Sequence, residues 1–408
     1  MITVRQGWAV ALGVAALTAP IVTRRGSADA RAPRSAVSSP ARAQTPSGPA
    51  AIHGAVPGFD PSRAHPRADG RYVVELPEGQ QALLTLEPAW QRATQALLAR
   101  HAIPVASVVV LDSDTARVLV WASRGALGDL ARQAVAPAAS VFKIVTATAL
   151  YERGFSETAT TCWSGGFHAL RERDLVSNPR RDRECSTLPE AFARSINTVF
   201  GRRALELLTP AQELETAHRW GFGEAVPFDV GVGVSDVNVP TDTLGFARTA
   251  AGFWNSHLSP IHGALLAQGV AAGGAMARPW LVESVRGPGG AVVARGAAQP
   301  WRRATTPAVA SSIQRAMLRS VSEGTAFASF HDLARRPFLS DITVGGKTGT
   351  LTAAQPFRAW TWFVGNAEGR GRRLSFAVLV GNDPLWRVKA PTVARQVLQI
   401  AFRGRSTD

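Results

Sequence analysis

The sequence predicts a mixed α/β (α+β) fold: an antiparallel sheet of about five strands flanked by helices, with a mainly helical subdomain inserted between the two halves of the sheet. Three observations carry this expectation. Two apolar, β-branched runs, 105–111 and 117–123, are joined by Asp112-Ser113-Asp114-Thr115 and read as a hairpin. Three more strand patterns, 342–350, 359–366 and 374–381, return only near the other end of the chain. Between these halves, residues 141–335 read as mainly helical with Gly- and Pro-rich loops.

Taken in order, Gln81–Leu86 reads as a short strand. Pro88 suits the first position of a helix, where its missing N–H costs nothing, and Trp90, Ala93, Leu97 and Leu98 form the apolar face before Pro104 ends it. A last amphipathic helix starts at Pro391 and carries Val393, Val397, Leu398 and Ala401. No internal repeat is visible. The expected domain spans 70–403, with the helical subdomain at about 141–335.

Ahead of it, Arg5 precedes an apolar run from Trp8 to Val22, followed by Arg24 and Arg25. This run is shorter than the ~20 residues of a spanning helix and long enough for the core of a signal peptide. Ala28-Asp29-Ala30 offers a small-residue cleavage site. Residues 1–30 are therefore expected to be an export signal, or an inner-membrane anchor through residues 8–22, and the protein to be periplasmic. Residues 31–69 are expected to be a flexible linker. Residues 31–60 hold five prolines and a single aromatic, Phe59, too little apolar surface to offset the entropy of ordering.

With 408 residues, 46% apolar and 18% charged, the chain can bury a sizeable core, which excludes overall disorder, collagen and a multi-span membrane protein. The net charge of +15 raises nucleic acid as a partner, but the basic residues are scattered singly and in pairs without interleaved aromatics, so none is expected. Of the 45 basic residues only Lys143, Lys347 and Lys389 are lysines. In a chain that uses arginine almost everywhere, a retained lysine marks a place where a guanidinium does not serve, such as a site where an amine must lose its proton.

Three short motifs fall at the seams of the layout: Ser140-Val141-Phe142-Lys143, Ser195-Ile196-Asn197 and Lys347-Thr348-Gly349. The first opens a helix after Pro137-Ala138-Ala139, and its spacing puts the amine one turn from the hydroxyl, on the same face. A serine needs an adjacent base to become a nucleophile, and a lysine can be that base if burial and a second cation depress its pKa. Lys347, on a predicted strand, supplies such a cation. On a turn, Ser195 can relay protons and Asn197 can grip a peptide.

This set resembles the penicillin-binding and serine β-lactamase superfamily. Leu84-Thr85-Leu86-Glu87-Pro88 followed by Trp90-Gln91 is similar to the segment that opens the transpeptidase domain of penicillin-binding proteins. Phe192–Phe200 and Gly345–Thr350 resemble the transpeptidase forms of the later motifs, and Ser259-Pro260-Ile261-His262 with Ala272-Gly273-Gly274 and Arg278-Pro279 resembles the helical stretch between them. The likeness covers residues 70–402. It departs at the N-terminus, where neither a glycosyltransferase domain nor the usual non-catalytic pedestal is expected.

The resemblance implies a D,D-transpeptidase that forms an acyl-enzyme from D-Ala-D-Ala stem peptides of peptidoglycan and is covalently inhibited by β-lactams. Ser140 would be the nucleophile and Lys143 its base. Ser195 would shuttle a proton to the leaving amine, and Asn197 would hold the peptide backbone. Lys347, Thr348, Gly349 and Thr350 would bind the terminal carboxylate, and the backbone N–H groups of Ser140 and Thr350 would form the oxyanion hole. No metal or organic cofactor is called for. The alternatives within the resemblance are a D,D-carboxypeptidase or a serine β-lactamase, and, outside enzymes, a β-lactam or muropeptide sensor.

Rival chemistries lack support: there is no His-Glu-x-x-His and no Gly-x-Ser-x-Gly. Ser235-Asp236-Val237-Asn238 mimics the second motif but has one residue too many, and His257 and His262 are expected to pack or cap. Cys162 and Cys185, the only cysteines, suggest in an exported chain one disulfide that staples the platform of the second motif; free buried thiols or a redox switch are the other readings.

Overall fold

In the computed structural model the expected hairpin forms as β1 (Val105–Asp112) and β2 (Val118–Arg124), and the C-terminal strands form as β3 (Thr343–Ala354), β4 (Phe357–Gly369) and β5 (Arg372–Asn382). The structure describes residues 48–167 and 169–403. The apolar run 8–22 and the first part of the expected linker lie outside these residues. Among the described residues no helix is long and apolar enough to cross a membrane.

The five strands pair antiparallel in the order β3-β4-β5-β1-β2, which joins the two ends of the domain: Val108 faces Val378 and Val110 faces Phe376. β1 is buried from Val105 to Leu111, because both faces of the sheet are covered. Around it, or in the inserted subdomain, lie α1 (Pro88–Arg100), α2 (Lys143–Glu152), α3 (Leu188–Ala193), α4 (Asn197–Leu207), α5 (Thr243–Ala250), α6 (Pro260–Ala271), α7 (Pro307–Ser322) and α8 (Ala390–Ala401). Val108, Val110 and Val378 turn into one core with Leu97 and Leu98 of α1 and Val393 and Val397 of α8. Val109, Leu111 and Leu379 turn into the other, with Ala264 and Leu265 of α6. This is the period-two alternation of a strand buried on both sides.

Three expectations need correction. The buried face of α1 is Gln91, Thr94, Leu97 and Leu98, while Trp90 is half-buried with the Arg372 guanidinium 5.0 Å from its ring. Gln91 is buried because its amide brackets the backbone of Trp121 on the edge strand β2, donating to the carbonyl at 2.8 Å and accepting the N–H at 2.9 Å. Residues 48–69 are not a free linker. Ala50–Ala51 pairs beside Val292–Arg295, His65–Pro66 pairs with Tyr72–Glu75, and Ile52 and Phe59 are buried. Composition hid this, since the edge of an existing sheet recruits extended backbone through main-chain hydrogen bonds and asks little of the side chains. The stretch 141–335 also holds strands, including Val282–Arg286, which pairs with Gln81–Leu84 in a second sheet.

Cys162 and Cys185 form a disulfide, sitting directly opposite each other where Thr160–Trp163 pairs with Glu184–Thr187. Thr187 then caps α3 in a capping box with Glu190, so the staple leads straight into the helix before Ser195. The loop between the cysteines is gathered by the buried Arg202 of α4. Its guanidinium donates to both carboxylate oxygens of Asp182 (2.7 and 3.3 Å) and to the carbonyls of Cys162, Asp174 and Val176. Arg202→Ala is expected to cost about 3–5 kcal/mol, because it strands a buried carboxylate; an unchanged denaturant midpoint would contradict this.

Candidate active site

Residues Ala139–Phe142 form a single 3-10 turn that runs directly into α2, so Ser140 stands at the mouth of the helix and Lys143 at its first position. The residue before the serine, Ala139, is buried with φ +51°, in the left-handed region that costs a non-glycine residue on the order of 1–2 kcal/mol. The surroundings enforce it. The Trp362 indole N–H donates to the Pro137 carbonyl at 2.8 Å, and the Ala138 N–H donates to Ser256 at 3.0 Å. Gly349 of β3 passes so close that a Cβ there would lie 3.1 Å from the Ala139 Cβ.

Gly252 (φ +76°) presses on the same turn, and a Cβ on it would fall 2.4 Å from the Ala139 carbonyl oxygen. Gly252→Ala is therefore expected to shift the Ser140 turn and slow acylation by roughly a hundredfold, the loss typical of a 1 Å misplacement. Stopped-flow acylation at the wild-type rate would refute the claim that this glycine sets the position of the nucleophile.

Lys143 is fully buried, and three elements converge on its amine. Nζ lies 2.9 Å from Ser140 Oγ, 2.8 Å from Asn197 Oδ1 at the start of α4, and 2.5 Å from the carbonyl of Ala251, which follows α5. That carbonyl belongs to the end of a helix, where carbonyls lack partners within the helix. The Asn197 amide nitrogen donates to the carbonyls of Gly166 (2.8 Å) and Phe167 (3.1 Å), which leaves Oδ1 to face the lysine. Burial first, and the charge of Lys347 second, hold Lys143 well below the usual lysine range. A neutral amine has two N–H donors and one lone pair. Asn197 Oδ1 and the Ala251 carbonyl can only accept, so they take the two donors and the lone pair is left for the Ser140 hydroxyl.

Ser195 closes α3. The Ile196 N–H donates to the Ala191 carbonyl and the Ser195 N–H to the Phe192 carbonyl, the paired bonds of a Schellman stop, with Ser195 at φ +57° in the left-handed position that usually belongs to glycine. A serine there buys no backbone comfort. Its hydroxyl accepts from Lys347 Nζ at 3.0 Å. Lys347, on β3 and also fully buried, donates further to the Thr348 carbonyl at 3.1 Å, and burial brings its pKa down to about 7.

A groove of about 680 Å³ opens over these groups, lined by Ser140, Ser195, Asn197, Thr348, Gly349 and Thr350 among others. The two lysines sit behind the serines; the groove wall shows hydroxyls. Thr348 Oγ1 pairs with Thr325 Oγ1 at 2.6 Å. Every site residue expected from the sequence is thus gathered here, apart from the cysteines, which brace the approach to Ser195. Asn197 lines this groove while its amide hydrogens are engaged by the 166–167 loop and its oxygen by Lys143, so in this structure it positions the lysine.

Sequence reasoning missed Ala251, Gly252, Thr325 and Trp362. Only Gly252, a glycine just past a helical pattern, left a signal, as a helix stop. Ser235 and Asp236 lie elsewhere: Ser235 accepts from the Ser259 N–H at 3.1 Å, and Asp236 pairs with His257 at 2.8 Å. His262 is buried, bonded to the Trp220 carbonyl, with its pKa brought down to about 4 by burial.

The sequence profile of the penicillin binding protein transpeptidase domain matches residues 106–399. The chain is 27% identical over 284 residues to the peptidoglycan D,D-transpeptidase PbpA of Mycobacterium tuberculosis, covering 66% of this chain and 55% of that protein, so it spans little more than half the length of this relative. Its fold matches the D,D-transpeptidase domain of a peptidoglycan glycosyltransferase from Eggerthella lenta, with a TM-score of 0.67 and 23% identity over 83% of this chain and 88% of that one. It also matches penicillin-binding protein A from M. tuberculosis in its penicillin G acyl-enzyme complex, with a TM-score of 0.65 and 22% identity over 80% of this chain and 82% of that one.

Proposed function

The chain belongs to the penicillin-binding protein transpeptidase family, and from that premise we propose that it is a serine D,D-transpeptidase of peptidoglycan, acylated by D-Ala-D-Ala stem peptides and by β-lactams. The observation that carries the reading is the arrangement of acceptors around Lys143, which aims a neutral amine's lone pair at Ser140.

In the proposed reaction Ser140 Oγ attacks the carbonyl of the penultimate D-alanine while its proton passes to Lys143 Nζ. The backbone N–H groups of Ser140 and Thr350 receive the oxyanion. Support comes from Gly349, whose missing side chain lets β3 meet the nucleophile's turn at van der Waals distance. Ser195, with Lys347 behind it, protonates the departing terminal D-alanine amine as the tetrahedral species collapses to the ester. Thr348 and Thr350 on the wall take the terminal carboxylate, and Lys347 adds its charge. Asn197 acts by positioning Lys143. The ester is then attacked by the amine of a second stem peptide; Lys143 returns its proton to the departing Ser140 oxygen, and the proton shed by the acceptor amine passes to Ser195 and Lys347, which restores both lysines to their starting states.

The disulfide and the family's wall substrate support work outside the cytoplasm, as the sequence suggested. The test is intact-mass spectrometry after incubation with a labelled penicillin and, separately, with a stem pentapeptide. A single adduct on Ser140 from each is expected, and transfer of the peptide acyl group to an added amine in preference to water marks a transpeptidase. Release to water alone marks a carboxypeptidase, and no adduct from either compound defeats the proposal.

A further inference from the structure

Two of the three lysines stand behind the catalytic hydroxyls, and the third, Lys389, is exposed on the wall of the same groove. In a chain whose basic residues are otherwise all arginine, the three lysines have converged on one site.

Nothing in the fold asks for a cation at 389. It is the N-cap of α8, makes no side-chain cap, and places a positive charge at the positive end of a helix, where serine or aspartate would stabilise instead. Among the described residues it has no carboxylate partner, and none of the residues lining the groove is Asp or Glu. Arg194, the other charged residue on the wall, is paired with Glu184 at 3.2 Å. The Lys389 ammonium stands 5.4 Å from the Trp386 ring centroid, a contact that arginine would serve equally well. Its place relative to the chemistry is fixed: the Ala390 N–H donates to Thr361 Oγ1 at 3.1 Å, and Thr361 is the cross-strand partner of Thr350.

We propose that Lys389 is a specificity-determining residue that binds a carboxylate of the peptide substrate other than its C-terminal one, carried by the donor or by the acceptor peptide. The inference rests on the transpeptidase reading above. An unpaired ammonium beside a helix N-terminus, on a wall without acidic groups, presents a favourable site for one more negative charge.

The experiment compares D-Ala-D-Ala peptides bearing a free side-chain carboxylate with the same peptides bearing the carboxamide, which is isosteric and neutral. The wild-type chain should be acylated about tenfold faster, in kcat/KM, by the carboxylate donor, the size expected of a hydrogen bond between charged groups. Lys389→Gln should bring the two donors within twofold. In a second arm the donor is held as the carboxamide and the acceptor amine is varied in the same way; a preference confined to that arm and lost in Lys389→Gln puts the carboxylate on the acceptor. A preference in neither arm, or one that survives Lys389→Gln, overturns the assignment of Lys389 while normal penicillin acylation leaves the family reading intact. Failure of the wild-type chain to acylate with penicillin brings down both.

Discussion

Lys143→Arg is expected to cut the acylation rate of Ser140 by roughly a hundred- to ten-thousandfold, the contribution of a positioned general base. A guanidinium does not give up its proton in a protein and offers no lone pair. The site makes the loss specific, because Asn197 Oδ1 and the Ala251 carbonyl are placed to take the two donors of a neutral amine. The pH profile carries the same logic. Acylation needs Lys143 neutral, so the rate should rise with pH through the depressed Lys143 pKa. It needs Lys347 charged, so kcat/KM should fall again as pH rises through about 7. Lys347→Gln should remove the alkaline limb and, by deleting the charge that depresses Lys143, move the acid limb to higher pH. Lys347→Arg should be milder than Lys143→Arg, since a fixed charge still serves there. Equal losses in the two arginine variants, or an acid limb that ignores Lys347→Gln, would show the division of labour to be wrong.

Penicillin is expected to leave an ester on Ser140 that persists for minutes to hours, with none formed by Ser140→Ala. Rapid hydrolysis requires a general base that activates water on the face of the ester opposite the departed group. The lining of the groove contains no carboxylate. The buried carboxyl of Glu213, pushed up to about 7 by burial, is bonded to Thr146 and is not part of that lining. Lys143 sits among polar acceptors, which favours the amine over a carbamate. Liquid chromatography and mass spectrometry of the aging adduct measures its lifetime. Turnover of a chromogenic cephalosporin at several per second, dependent on Ser140, would move the protein to the β-lactamase side of the superfamily.

The sheet was legible because its strands are buried on both faces. Val105–Leu111 and Leu374–Gly381 read as apolar runs interrupted only by one buried serine each, Ser107 and Ser375, as expected of strands covered on both faces. The edge pieces at 50–51 and 65–66 and the strand Val282–Arg286 were not legible, because they are held by backbone pairing, the first and the last with partners far along the chain, and carry no run of their own.

The site divides along the same line. Ser140, Lys143, Ser195, Asn197 and Lys347 were all named from the sequence, since chemistry demands particular side chains and the Ser-x-x-Lys spacing is local to one helical turn. Their proximity follows from contacts across 54 residues between Lys143 and Asn197 and across 152 between Ser195 and Lys347. Asn197 shows the difference best. Its amide group marked it as a binding residue, yet whether it grips substrate or holds a lysine depends on where the carbonyls of residues 166, 167 and 251 fall. The sequence by itself determined which functional groups this protein brings to its reaction. Only the tertiary structure decided which lone pair faces the nucleophile, because that direction is set by backbone carbonyls, which every residue carries and no side chain announces.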